Sequence, residues 1–194
     1  MLAGRAAQGF EMMIHRPPAL LIIDMQKGMQ SPALPRRNNP GAEGNIQKLL
    51  AHWRATNQPV IHVRHISRSA DSVFTLGQIG AEFQDPLLPL DSEHVVEKNV
   101  TDAFTHSGLE RWLHARGIQD VVIVGVSTNQ SVESTARSSG NLGFRTRVVS
   151  DATFTFDRVD LNGVVQTAED VHMMSLTNLS GEYAQVVTTF DLIS

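Results

Sequence analysis

Residues 19–23 read Ala-Leu-Leu-Ile-Ile and are followed at once by Asp24. Five consecutive apolar residues leave no polar side to face water. So short and unbroken a run fits a strand covered on both faces, as in a parallel sheet sandwiched between helices. Pro17-Pro18 breaks any helix leading into it. A second run of the same kind, Val121-Val122-Ile123-Val124-Gly125, recurs much further along the chain. Two such strands in one chain demand helical cover on two sides, and the rest of the pattern supplies it.

After Asp24, residues 25–41 are rich in Pro, Asn, Arg and Gly and read as an irregular loop. A helix is predicted from about 42 to 57, because Ile46, Leu49, Leu50 and Trp53 form one stripe. Pro59 opens a strand over 60–65. Residues 67–94 show little periodicity; so long a connection inside a compact domain is usually functional, for example a lid. A short strand at 95–98 is followed by a helix over about 106–116, with Gly117 as its cap. Beyond the 121–125 strand come a helix over 129–140, a strand over 145–150, a helix over 164–180 and a strand over 184–189. Strands alternating with helices imply a three-layer α/β/α, Rossmann-like fold with a mostly parallel sheet of about six strands.

The chain of 194 residues is 41% hydrophobic and 19% charged, the balance of a soluble globular protein, and reads as one domain over 1–194. A formal net charge of -4 argues against nucleic acid as the main partner. No apolar run approaches the roughly 18 residues that span a bilayer, so no membrane partner is expected. Residues 1–15 lack the apolar core and cleavage site of a secretory signal, and are expected to be a loosely ordered leader on a cytoplasmic protein. There is no cysteine, hence no disulfide and no thiolate metal site.

In a parallel α/β sheet, ligands gather at the carboxyl ends of the strands. Three features fall there: Asp24 after the first strand, Lys98 after the third, and Gly125-Val126-Ser127-Thr128-Asn129-Gln130-Ser131-Val132-Glu133 between the fourth strand and a helix. A nucleophile at the start of that helix meets free backbone N–H groups and the positive end of the dipole, which favour an anion. A carboxylate nearby can take the nucleophile's proton, and an ammonium favours the anionic forms. Each residue also has an ordinary reading: Asp24 as a loop hydrogen-bonder, Lys98 as a solvated charge, Ser131 as a helix cap. Spacing alone does not choose between the two.

The sequence resembles the isochorismatase-like, or cysteine hydrolase, family. Leu21-Ile22-Ile23-Asp24-Met25-Gln26 resembles that family's first-strand motif ending in Asp-x-Gln, and Glu97-Lys98 with Asp102-Ala103-Phe104 resembles its lysine motif. Residues 125–137 resemble its nucleophile motif, in which a cysteine would precede Val132. Gly143-Phe144, Val148-Val149-Ser150-Asp151-Ala152, Ala168-Glu169-Asp170-Val171-His172 and Gly181-Glu182-Tyr183-Ala184 follow in order. The resemblance implies a hydrolase acting on the C–N bond of a small amide or ureide. It implies Asp24 as general base, Lys98 as the tuning cation and position 131 as nucleophile. It further implies a cis peptide joining Val126 and Ser127, and an oxyanion hole from the N–H groups of Ser127 and Ser131. A homo-oligomer, dimer or tetramer, is expected because relatives commonly associate.

Ser131 departs from the family pattern. A thiol ionises near pH 8.5, whereas a serine hydroxyl is far less acidic and a carboxylate is a poor base for it. The serine is either an engineered or drifted replacement of a catalytic cysteine, or natural, as in true isochorismatases, where Asp protonates a vinyl ether and no nucleophile is needed. A catalytically dead ligand-binding relative is the third reading. Among further candidates, His65 at a strand end, Gln78 in the 67–94 connection and Asn129 in the nucleophile loop are assigned to substrate contact. His62 and His65 stand three apart on one strand and so face opposite sides, which disfavours a joint metal site; no metal and no cofactor are expected. His172 reads as a structural histidine, the Arg36-Arg37-Asn38-Asn39 cluster as a loop-ordering group, and Met173-Met174 as core or subunit interface.

Overall fold

The computed structural model describes residues 16–193, so the expected leader over 1–15 lies outside the described residues. The strands are β1 (Ala19–Ile23), β2 (Val60–His65), β3 (His94–Lys98), β4 (Asp120–Val126), β5 (Arg145–Phe154), β6 (Arg158–Val159), β7 (Val165–Gln166) and β8 (Gln185–Val187). The helices are α1 (Ala42–Ala55), α2 (Leu109–Ala115), α3 (Glu133–Asn141), α4 (Ala168–Leu179) and α5 (Phe190–Ile193). Six strands form one sheet in the order β3-β2-β1-β4-β5-β8, and every neighbouring pair in it is parallel.

Alternation along β1 shows why its sequence has no polar position. Ala19, Leu21 and Ile23 enter one cluster with Leu109 and Leu113 of α2, Ala136 of α3, and Leu176 and Leu179 of α4. Leu20 and Ile22 enter the other, with Ile46, Leu49, Leu50 and Trp53 of α1. Each buried Leu or Ile contributes roughly 1.5–3 kcal/mol, and β1 does so on both faces. Trp53 keeps its indole N–H satisfied by donating to Pro18 O at 2.9 Å.

Several expected boundaries shift for identifiable reasons. The helix expected from 164 begins at Ala168, because Val165-Gln166 pair antiparallel with Arg158-Val159 in a small hairpin. The helix expected from 106 begins at Leu109, after Gly108 at φ 73°. β5 runs on to Phe154 rather than stopping at 150: its register with β4 shifts between Ile123 and Gly125, so that Gly125 pairs with Thr153. The helix expected over 129–140 opens with a π-helical turn over Thr128–Val132 and becomes α-helical at Glu133. The last strand covers only 185–187, and the chain then enters α5. Met173 and Met174 are not core; they are 63% and 62% exposed. Among the described residues, no helix is long and apolar enough to cross a membrane.

The strand order positions the site. The chain builds outward from β1 through β2 to β3, then returns to lay β4 against the other side of β1. The direction of winding therefore reverses between β1 and β4, which makes their carboxyl ends the switch point at which sheets of this kind bind ligands.

Candidate functional site

At that switch point the residues following β1 and β4 come within reach of one lysine. Asp24 follows β1 with φ 52°, a left-handed conformation that Asp tolerates better than most side chains. Gly125, one residue from the end of β4, has φ 118° and presses on β1: a Cβ there would lie 2.1 Å from Ile23 O. Only glycine lets β4 approach so closely. The Val126–Ser127 peptide is cis. The chain then enters the π-helical turn that carries Ser131.

Lys98 arrives from further away. It ends β3, two strands from β1, and neighbouring strands are about 4.8 Å apart. Its long stem crosses the end of β2 and brings Nζ within 2.7 Å of Asp24 Oδ2 and 3.2 Å of Ser131 Oγ. The third contact of Nζ is to Val100 O, also at 3.2 Å. All three hydrogens of the ammonium are thus spoken for. The Lys98 and Asp24 side chains are 0% and 2% exposed, so the pair sits out of water, where electrostatic contacts are stronger than at a surface. Asp24 Oδ1 is buried and has no hydrogen-bond partner among the described residues.

The turn bearing Ser131 is held from behind by α4. Thr128 Oγ1 lies 2.8 Å from His172 Nδ1. Ser175 Oγ lies 3.0 Å from Thr128 O and 2.6 Å from Glu133 Oε2. His172 is therefore a partnered, buried histidine, and burial pushes its imidazole below the ordinary value. Its role is the structural one expected.

The remaining candidates are placed unequally. His65 ends β2, half-buried, with its ring edge-on to Phe74. It is the register partner of Lys98, and burial and then the Lys98 ammonium lower its pKa. Gln78 is exposed and has no side-chain role in starting the short turn that follows it. Asn129 Oδ1 accepts from Thr155 Oγ1 at 2.6 Å, tying the turn that carries Ser131 to the residue after β5, outside the Asp24–Lys98–Ser131 cluster. His62 is directed away from His65 into a separate buried cluster with Glu93 and Phe83. Among the described residues no group of three or more His, Asp or Glu is arranged to hold a metal. The arginine–asparagine run does order its loop: Arg36 reaches Asp157 and Glu169, Arg37 pairs with Glu43, and Asn39 donates to Ser150 O and Thr153 O.

One residue that sequence reasoning passed over is Gln26, fully buried and clasped to the backbone of His65. The Asp-x-Gln spacing was its signal.

Comparison with known proteins agrees with this architecture. The model of the isochorismatase domain matches residues 18–191. The isochorismatase family protein YrdC of Bacillus subtilis is 38% identical over 176 residues, covering 91% of this chain and 94% of that protein. Nicotinamidase 3 of Arabidopsis thaliana is 31% identical over 184 residues, covering 87% and 83%. The crystal structure of an isochorismatase-family protein from Chromobacterium violaceum superposes with a TM-score of 0.89 at 43% identity, covering 91% of each chain. With the fold, the superposition and the sequence all in agreement, the chain belongs to the isochorismatase family.

Proposed function

We propose that this family member hydrolyses the C–N bond of a small amide or ureide, with residue 131 as nucleophile, Asp24 as proton carrier and Lys98 as the cation that serves both. The observation behind this reading is the bridge from the Lys98 ammonium to the Asp24 carboxylate and the Ser131 hydroxyl. The name of the Arabidopsis relative, a nicotinamidase, points to the same bond class. Attack by residue 131 on the carbonyl carbon transfers its proton to Asp24, whose Oδ1 lacks a competing partner. The N–H groups of Ser127 and Ser131 receive the developing oxyanion. Asp24 then protonates the departing nitrogen, leaving an acyl-enzyme. It next takes a proton from water, whose oxygen attacks the acyl carbon; the bond to residue 131 breaks, Asp24 returns the proton to residue 131, and the acid leaves. His65, and more distantly Gln78 and Asn129, are the side chains assigned to substrate.

Serine weakens the first step, since its hydroxyl gives up a proton far less readily than a thiol does. Ser131→Cys is therefore expected to raise turnover of a small-amide panel by on the order of 10²-fold or more. Mass spectrometry should detect both product and a covalent adduct at residue 131.

The serine itself favours one alternative, a vinyl-ether hydrolase in which Asp24 protonates substrate and residue 131 is a bystander. Isochorismate turnover unchanged by Ser131→Cys but abolished by Asp24→Asn would establish that reading and remove the first. Tight binding without turnover in both forms would instead indicate a binding protein.

A further inference from the structure

β1 ends at Ile23, yet the ladder between β1 and β2 does not. The Asp24 N–H still donates to Val63 O at 2.9 Å, as a parallel rung requires. The main chain then turns away, and the Gln26 N–H folds back onto Asp24 O at 2.7 Å. The next rung of β2 is His65, whose N–H and C=O face the place that β1 has left. The Gln26 side chain fills that place: Oε1 accepts from His65 N at 2.8 Å, and Nε2 donates to His65 O at 2.9 Å. An amide side chain thus supplies the acceptor and donor that a further β1 peptide would have supplied. The second Nε2 hydrogen goes to Ala81 O at 3.0 Å, tying in the connection between β2 and β3. Gln26 O in turn accepts from Gln84 Nε2 at 3.3 Å. Gln26 is 0% exposed, so water cannot replace any of these partners. One planar group with one acceptor atom and two N–H donors satisfies three backbone groups, a set that among neutral side chains only a carboxamide offers.

His65 is also the register partner of Lys98 in the β2–β3 pairing. The spacing from Asp24 to Lys98 therefore runs from β1 through Gln26 and His65 to β3. We propose that Gln26 is a positioning residue. By continuing the ladder with its side chain while the main chain turns at Asp24, it sets the strand ends at the separation from which Lys98 reaches both Asp24 and residue 131. The inference rests on the hydrolase reading above, in which that reach matters. Replacement of Gln26 would leave three buried backbone groups without partners, splay the strand ends and lengthen the Lys98 contacts.

A thiol at position 131 reports on that reach without any substrate. In Ser131→Cys protein, the pH midpoint of alkylation by iodoacetamide should lie below the value near 8.5 of a free thiol. Adding Lys98→Met should raise it. Adding Gln26→Met should raise it by about one pH unit and slow alkylation at neutral pH about tenfold. Gln26→Asn, which keeps the amide but withdraws it by one methylene, should do the same and serves if the methionine variant does not fold. Leu49→Ala, in the α1 core, is the control for lost stability: it should lower Tm and leave the midpoint in place. A Gln26 variant that behaves like Leu49→Ala, with lower Tm and an unmoved midpoint, overturns the positioning role while the response to Lys98→Met preserves the hydrolase reading. A midpoint indifferent to Lys98→Met overturns both.

Discussion

Lys98 and Asp24 share a site from which water is excluded, so neither tolerates the loss of the other. Lys98→Met leaves the carboxylate buried beside a methyl group and is expected to cost about 3 kcal/mol of stability. The double variant Asp24→Asn/Lys98→Met removes both charges and should recover most of that loss. Urea unfolding of the three proteins tests this, and a single variant as stable as the double would mean that the pair is not isolated from solvent. Asp24 and Lys98 were legible as residues at strand ends, and the motifs around them, not that position alone, singled them out. Their contact was not, since 74 positions separate them and only the strand order β3-β2-β1 brings them together. Gln26 was harder still. Its role depends on a main-chain turn at Asp24 that has no signature beyond the residue's own tolerance of positive φ.

At the level of elements, α1 was legible nearly to its ends because its apolar stripe repeats cleanly with the helical period. The start of α4 was misread. Val164-Val165 merge into the apolar pattern of the helix, while Asp160-Leu161-Asn162-Gly163 carried the competing turn signal. In the structure Asp160 Oδ1 accepts from the Asn162 and Val164 N–H groups, and Gly163 takes φ 82°, which closes the β6–β7 hairpin. The helix then begins at a cap: Thr167 Oγ1 accepts from Asp170 N at 3.1 Å. Thr167→Ala should cost about 1 kcal/mol, read as a lowered urea midpoint with unchanged m-value. Because α4 braces the turn that carries Ser131 through His172 and Ser175, the same variant tests how firmly that turn is held. A variant with unaltered stability would remove the cap from the account of why α4 starts at Ala168.

Across the whole molecule, burial sets the response to acid. His62, 0% exposed and bonded to Glu93, has its pKa lowered by burial, and His172 is lowered for the same reason. Each therefore binds a proton less readily when folded than in the unfolded chain, which takes it up near pH 6.5. Their contribution to stability is present above that value and is lost as pH falls below it. Glu93 adds a second loss further down: against the penalty of burial, hydrogen bonds from Arg54 and its other partners hold it at about 2. Urea midpoints should therefore decline from about pH 8 to about pH 5, and less steeply in His62→Gln. Equal slopes in the two proteins would show that His62 is not the group responsible. By itself, the sequence determined the two-sided sheet, the helices that cover it and the residues at its strand ends, because hydrophobic period and chain breaks are local properties. Only the tertiary structure decided that β4 returns to the inner edge of β1, that a lysine two strands away reaches Asp24 and Ser131, and that a glutamine side chain completes the ladder beside it. Those are contacts between residues distant in the chain, and they exist only once the strands have taken their places.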